Sequence, residues 1–280
     1  MFDVKGSILK EIYKERPEWS HKGDFGKLLI IGGSKRYTGA PALAAYSAIA
    51  SLRAGTDLVL VAAPERAADI IAKFSPNLIT EPLEGDFVSM NHAKEIDYLV
   101  RKFDAVCIGS GLGTEKETGG FVKKFVGKIK KPCVIDADAI KALKKKRLGK
   151  NFILTPHAYE FYHISGEKPK HDIVGRAKLV ERFAKKIGST ILLKGAVDII
   201  SDGKQTAMNK TGNPYMTTGG TGDVLTGVCG GLLAQGVSQF KAACASAYIT
   251  GKAGDLAAKE KGPGLLATDI VEKIPEVIKG

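Results

Sequence analysis

Seven short apolar runs punctuate the chain: KLLII (27–31), DLVLVA (57–62), DAVCIG (104–109), PCVID (132–136), NFILT (151–155), STILLK (189–194) and VDIIS (197–201). The first five are separated by stretches with helical periodicity. These runs do not alternate apolar with polar residues, so they suit strands covered on both faces, as in a parallel sheet. The pattern predicts an α/β protein with helices on either side of a mostly parallel sheet, a three-layer α/β/α sandwich. The segment IISDGKQTAM (199–208) predicts a hairpin turning at Asp202-Gly203, so antiparallel strands finish one edge.

Helix punctuation agrees. Pro41 falls where a first helical turn begins and Gly55 where that helix closes, and the residues between are small enough to approach a sheet or a neighbouring subunit closely. No repeat, low-complexity tract or linker divides the 280 residues, which predicts a single domain over 1–280.

Composition removes whole classes of function. The longest weakly polar run, 40–52, is too short for a membrane span, and the N-terminal MFDVKGSILKEIYKERPEW has no signal-like apolar core, so a cytoplasmic protein with no membrane partner is expected. The four cysteines at 107, 133, 229 and 244 form no CxxC pair and are expected to be buried, reduced thiols. The net charge of +12 is concentrated: residues 121–150 carry eleven Lys or Arg against Asp136 and Asp138. After Phe121 and Phe125 this stretch lacks the aromatics that a nucleic-acid groove uses for stacking, so solvated lysine-rich helix faces such as KALKKKRLGK are expected instead.

Chemistry concentrates in NKTGNPYMTTGGTGDVLTGVCGGLLAQ (209–235), where a glycine-dense polar loop runs straight into a helical apolar pattern at Val224, Val228 and Leu232. Unpaired N–H groups and the helix dipole make such a terminus an anion site, and Gly219, Gly220 and Gly222 let the backbone fold close around phosphate oxygens. This is a phosphate cradle without a Walker lysine. Asp223 stands at its mouth, either as a general base for a hydroxyl attacking a phosphoryl group or as a simple helix cap.

The TGGTGDVL stretch resembles the GxGD anion hole of the ribokinase-like superfamily. With it come HKGDFGKLLIIGGSKRYTGAPALAA (21–45), IGSGLG (108–113), VIDADAI (134–140), ILTPHAYE (153–160), ILLKGAVD (191–198) and GLLATDI (264–270). In this order they resemble the ADP- or ATP-dependent NAD(P)H-hydrate dehydratases over about residues 20 to 275. The resemblance implies nucleotide repair: phosphorylation of the ring hydroxyl of the (S) epimer of hydrated NADH or NADPH, followed by loss of phosphate, with Mg2+ and ADP or ATP as co-substrate. It implies Asp223 as catalytic aspartate, Gly220, Thr221 and Gly222 at the nucleotide phosphates, and Lys194, Gly195, Ala196, Val197 and Asp198 as the nucleotide segment. Ala40, Gly111 and His157 match positions that bind the hydrated cofactor.

Each has a plainer reading: Ala40 precedes a helix-starting proline, and Gly111 makes a strand-to-helix turn. Glu160 either orients a metal-bound water or is a helix-start acid. His157 separates this family from vitamin-precursor kinases, which carry Asn in TPNxxE; a vitamin-precursor or sugar kinase releasing a phosphorylated product, and a nucleotide-sensing or RNA-binding protein using the lysine-rich 121–150 surface, are the other readings. The chain departs from the family pattern at Ala158-Tyr159, where Pro-Gly is common, at Ser110, where proline is usual, and at Asp198, where threonine is frequent. A homo-oligomer, often a tetramer among relatives, and a separate epimerase are expected partners, since no fused epimerase domain is seen ahead of His21.

Overall fold

The computed structural model describes residues 1–35, 39–143 and 147–279. Its strands are β1 (Phe2–Asp3), β2 (Lys27–Ile31), β3 (Leu58–Pro64), β4 (Ile79–Leu83), β5 (Ala105–Ile108), β6 (Cys133–Ile135), β7 (Phe152–Leu154), β8 (Thr190–Leu193), β9 (Asp198–Ser201) and β10 (Thr206–Asn209). Between and after them run α1 (Ser7–Ile12), α2 (Ala40–Arg53), α3 (Glu65–Ala72), α4 (Ala93–Lys102), α5 (Lys116–Lys128), α6 (Ala137–Ala142), α7 (Ala158–Ser165), α8 (Ile173–Ile187), α9 (Thr221–Ala234), α10 (Gln239–Lys261) and α11 (Ala267–Lys279).

All ten strands form one sheet in the order β1-β10-β9-β8-β7-β6-β5-β2-β3-β4. The predicted hairpin is there: β9 and β10 pair antiparallel around Asp202 and Gly203, with Ile200 opposite Ala207. The reversal does not reach the very edge. Strand β9 alone runs against its neighbours β8 and β10, and the two-residue β1 then pairs parallel to β10.

Alternate residues of the buried strands feed two cores. Leu28 and Ile30 of β2 join the helices α2, α3, α9, α10 and α11, while Leu29 and Ile31 join α4 to α8. That is the physical basis of the three layers, and of runs that are apolar at every position. Strand β4 escaped the pattern because it lies at the edge, pairs only with β3, and carries Pro82 with mixed exposure along its length.

The small residues of α2 serve the chain's own packing. Ala44, Ala45 and Ala48 are fully buried, and α2 lies so close to α9 that a Cβ on Gly227 would fall 2.0 Å from the Ser47 carbonyl oxygen. All four cysteines are buried and free, and burial pushes the thiols of Cys229 and Cys244 up to about 12. In the basic stretch, Phe121 and Phe125 stack on each other inside the core, centroids 5.5 Å apart, while Lys123, Lys124 and Lys128 are exposed. Lys144 to Lys146 of KALKKKRLGK lie outside the described residues. Among the described residues no helix is long and apolar enough to cross a membrane.

Candidate functional site

The chain winds outward from β2 to β3 and β4, then returns on the other side of β2 with β5, β6, β7 and β8. Loops leaving the carboxyl ends of β2 and β5 must therefore diverge, opening a crevice where ligands of open α/β sheets bind. The predicted site segments leave the carboxyl ends of these parallel strands: Ala40 follows β2, Gly111 follows β5, His157 follows β7 and Lys194 follows β8.

Ala40 and Gly111 meet. Gly111 has φ of +60°, and a Cβ on it would fall 2.5 Å from the Ala40 carbonyl oxygen, so this contact admits only glycine. Tyr37 and Thr38, which share the YTGAP motif with Ala40, lie outside the described residues.

Helix α9 brings the phosphate-cradle residues to the same end of the sheet. Gly220 precedes it with φ of +92°, and no side chain caps the terminus, so the N–H groups of the first turn are left for a ligand. Asp223 lies in that turn but does not cap it. Its side chain is buried, and Oδ1 has no hydrogen-bond partner, while Ser47 donates to its main-chain carbonyl at 2.6 Å. Burial, reinforced by the charge of Asp136, raises the Asp223 carboxyl to about 6, against the pull of a hydrogen bond from Ser110, of the Lys194 ammonium and of its own main-chain N–H.

The cradle also acquires a lysine from far along the chain. Lys194 Nζ lies where a Cβ on Gly222 would meet it at 3.2 Å, and it donates to Asp136 Oδ1 at 3.0 Å. The charges of Asp136, Glu160 and Asp223 together outweigh burial and hold the ammonium above its ordinary value. The second oxygen of Asp136 accepts from Thr226 Oγ1 at 2.7 Å, one turn beyond Asp223 on α9. Asp136, Ser110, Ser47 and Thr226 are thus part of the cluster although sequence reasoning assigned them no role. For Ser110 and Asp136 the available signal was a polar residue following a buried apolar run; Ser47 and Thr226 lie inside helices and gave none.

His157 and Glu160 form a reciprocal cap on α7. The imidazole Nδ1 accepts from the N–H groups of Tyr159 and Glu160 at 3.1 and 3.3 Å, and Glu160 Oε2 accepts from the His157 N–H at 2.9 Å. This fixes the proton of the neutral ring on Nε2, which stays half-exposed and 3.5 Å from Glu160 Oε1. Burial and the Lys194 charge lower the imidazole's affinity for a second proton, and burial raises Glu160 to about 7. The helix-start reading of Glu160 is therefore realised in the fold.

The predicted nucleotide segment is only partly at the cluster. Lys194 reaches it, whereas Gly195 and Ala196 are exposed in the turn between β8 and β9, and Val197 packs on the core. Asp198 is turned inward, accepting from Gly195 N at 3.0 Å and Asn209 Nδ2 at 3.0 Å, and burial raises it to about 6. There it braces the turn, as Arg176 does by donating to the Lys194 carbonyl at 2.8 Å.

Among the described residues no three His, Cys, Asp or Glu side chains are grouped so as to hold a metal ion. Magnesium commonly keeps several waters and takes one or two carboxylates plus the phosphates of a substrate, an arrangement this donor set can still satisfy, with Glu160 acting through water.

An uncapped glycine-rich helix start, a buried acid with a free oxygen and a lysine beside them agree with the sequence profile of the NAD(P)H-hydrate dehydratases, which matches residues 28–276. The chain belongs to the NAD(P)H-hydrate dehydratase family. It is 44% identical over 262 residues to a bifunctional NAD(P)H-hydrate repair enzyme of Pyrobaculum aerophilum, covering 93% of this chain and 52% of that one. It is 39% identical over 275 residues to the ADP-dependent (S)-NAD(P)H-hydrate dehydratase of Cenarchaeum symbiosum, covering 97% of this chain and 94% of that one. The chain spans about half the length of the bifunctional relatives it matches. Among solved structures, the ADP/ATP-dependent NAD(P)H-hydrate dehydratase of Bacillus subtilis, co-crystallized with ATP/Mg2+, superposes with a TM-score of 0.82 at 25% identity, covering 99% of this chain and 98% of that one. The ribokinase-like sandwich and the family expected from the motifs both hold.

Proposed function

We propose that the chain dehydrates the (S) epimer of hydrated NADH or NADPH at the expense of ADP or ATP. The observation that carries this reading is Asp223, whose buried Oδ1 has no partner beside an uncapped helix terminus. A carboxyl raised to about 6 is ionised at neutral pH yet basic enough to accept a proton.

In this reading the ring hydroxyl gives its proton to Asp223 as its oxygen bonds to the terminal phosphorus. The bond from that phosphorus to the leaving nucleotide breaks, releasing AMP from ADP or ADP from ATP. The N–H groups of Gly220 to Gly222 and the Lys194 ammonium offset the charge on the transferring oxygens. The phosphate then departs with the carbon–oxygen electron pair, the adjacent ring carbon gives up its proton to solvent or to the departing phosphate, and the double bond returns. Glu160 would help to hold a magnesium ion through a water, and the ion would supply further charge neutralisation there. The half-exposed His157 Nε2–H, together with Ala40 and Gly111, is proposed to hold the hydrated cofactor.

We further infer that these residues form one domain, built on the single sheet, working in the cytoplasm as a homo-oligomer. The deciding experiment incubates the protein with chemically hydrated NADH, magnesium and ADP or ATP. Return of the reduced-nicotinamide absorbance with phosphate release supports the dehydratase. Its failure, with phosphorylation of thiazole or pyrimidine alcohols in its place, overturns it in favour of a kinase.

A further inference from the structure

Asp136 occupies an unusual place. It stands in the N-cap position of α6, and aspartate is a preferred cap, yet its side chain makes no capping hydrogen bond. The residue after it, Ala137, has φ of +46°, the only non-glycine residue among those described with positive φ. A left-handed alanine costs roughly 1 kcal/mol, so surrounding structure must hold it there. What the turn achieves is the aim of one carboxylate. Asp136 is 2% exposed, with Oδ1 on Lys194 Nζ at 3.0 Å and Oδ2 on Thr226 Oγ1 at 2.7 Å. A backbone contact secures it: Gly109 is bare where a Cβ would fall 1.9 Å from the Asp136 carbonyl oxygen.

We propose that Asp136 is a positioning residue that, itself fixed by Thr226, clamps Lys194 at the mouth of the α9 terminus and so completes the cradle for a nucleotide's outermost phosphate. Thr226 lies on α9, so the clamp ties the lysine to the helix whose N–H groups it supplements. A partly buried ammonium without a counter-ion is costly and becomes free to swing, whereas the pair holds it aimed before any phosphate arrives. Lys194 touches the phosphate; Asp136 acts through it. The inference rests on the phosphate-binding reading of α9 and adds to it a distant residue and a selectivity for the outer phosphate.

The test is calorimetric binding of ADP and of AMP to the full chain with Asp136→Asn, Thr226→Val and Thr226→Ser, each checked for native circular dichroism. Loss of one partner of a buried charged pair should weaken ADP binding by about 30-fold in Asp136→Asn while AMP binding changes less than about threefold. Thr226→Val should weaken ADP by about fivefold, and Thr226→Ser, which keeps the hydroxyl, should restore it. A purely structural role would weaken both nucleotides alike, and that outcome overturns the proposal, as does ADP binding equal to wild type in Thr226→Val. Should Asp136→Asn not fold, the ADP-to-AMP ratio in Thr226→Val decides alone. Failure of the wild type to bind ADP would instead sink the phosphate-cradle reading itself, so the two failures are told apart.

Discussion

Two helices of the candidate site, α7 and α9, begin in opposite ways. At α7 the terminus is closed by its own side chains: His157 Nδ1 takes two N–H groups, and Glu160 accepts a hydrogen bond from the His157 N–H. At α9 the preceding residue is glycine, no side chain caps the first turn, and Asp223 keeps a buried oxygen unpartnered. Both starts carry an acid in the first turn, so local sequence makes them look alike. The difference lies in whether the acid can reach back to the cap. Glu160 sits three residues after His157, the spacing of a reciprocal cap, whereas Gly220 offers Asp223 no side chain in return. A helix start left open inside a protein is costly unless something else fills it, and an anion is the natural occupant.

The largest expected effect comes from removing the carboxylate at the open terminus. Asp223→Asn should lower turnover of hydrated NADH by about 10³-fold, within the range of lost general-base catalysis, while ADP affinity stays similar or improves. Stability should move the other way. The folded-state carboxyl is raised to about 6, above its unfolded value, so stability is lost as pH rises through that window. At pH 7 the wild type bears the whole cost of a buried charge, and the asparagine variant should melt a few degrees higher by calorimetry. The same shift predicts that wild-type kcat/KM climbs with pH and levels off with a midpoint near 6, since only the ionised form can accept the proton. A flat profile between pH 5 and 7 would remove Asp223 from the role of base.

The same contrast explains what was legible in the sequence. The parallel strands showed themselves because both faces are buried and apolar residues run on unbroken, and the α9 loop because glycines crowd ahead of an apolar helix. Strand β4, at the edge and carrying Pro82, left no such trace. The cluster around Asp223 was harder still, because its members come from distant parts of the chain. Ser47 and Asp223 are 176 positions apart, and Thr226 and Asp136 are 90 apart. Only the return of the chain at β5 brings them together. A cradle that seemed to lack a lysine has one, because Lys194 arrives from the end of β8. Nor does spacing alone reveal that Asp136 abandons its own helix: that follows from the left-handed Ala137, which no local propensity favours.

A smaller effect should follow from adding one methyl group to the open terminus. Gly222→Ala places a Cβ 3.2 Å from Lys194 Nζ, close enough to displace the ammonium by a few tenths of an ångström. Nucleotide affinity should fall about tenfold by calorimetry, as expected when a charged hydrogen bond is bent out of line. Alanine is the better helix former by up to about 1 kcal/mol, so the melting temperature should hold or rise. Affinity and stability falling together would mean that the turn had been broken, not the cradle narrowed.

The closed terminus should respond most weakly, and mainly in stability. His157→Ala removes the acceptor for two N–H groups and should cost about 1 kcal/mol, a drop of roughly 2–4 °C in a chain of this size. His157→Asn should restore the melting temperature, because asparagine is itself a good cap. The pair separates the two duties of this side chain. Capping uses Nδ1, which asparagine can replace with its amide oxygen; holding the hydrated cofactor would use Nε2–H, which projects farther and has no counterpart in the shorter side chain. If His157 serves both, the asparagine variant melts like wild type yet shows a KM for hydrated NADH raised about threefold to tenfold, with kcat little changed, the pattern of lost uniform binding. Wild-type KM in a fully stable asparagine variant would confine His157 to its helix and leave the open start of α9 as the only one of the two that meets substrate.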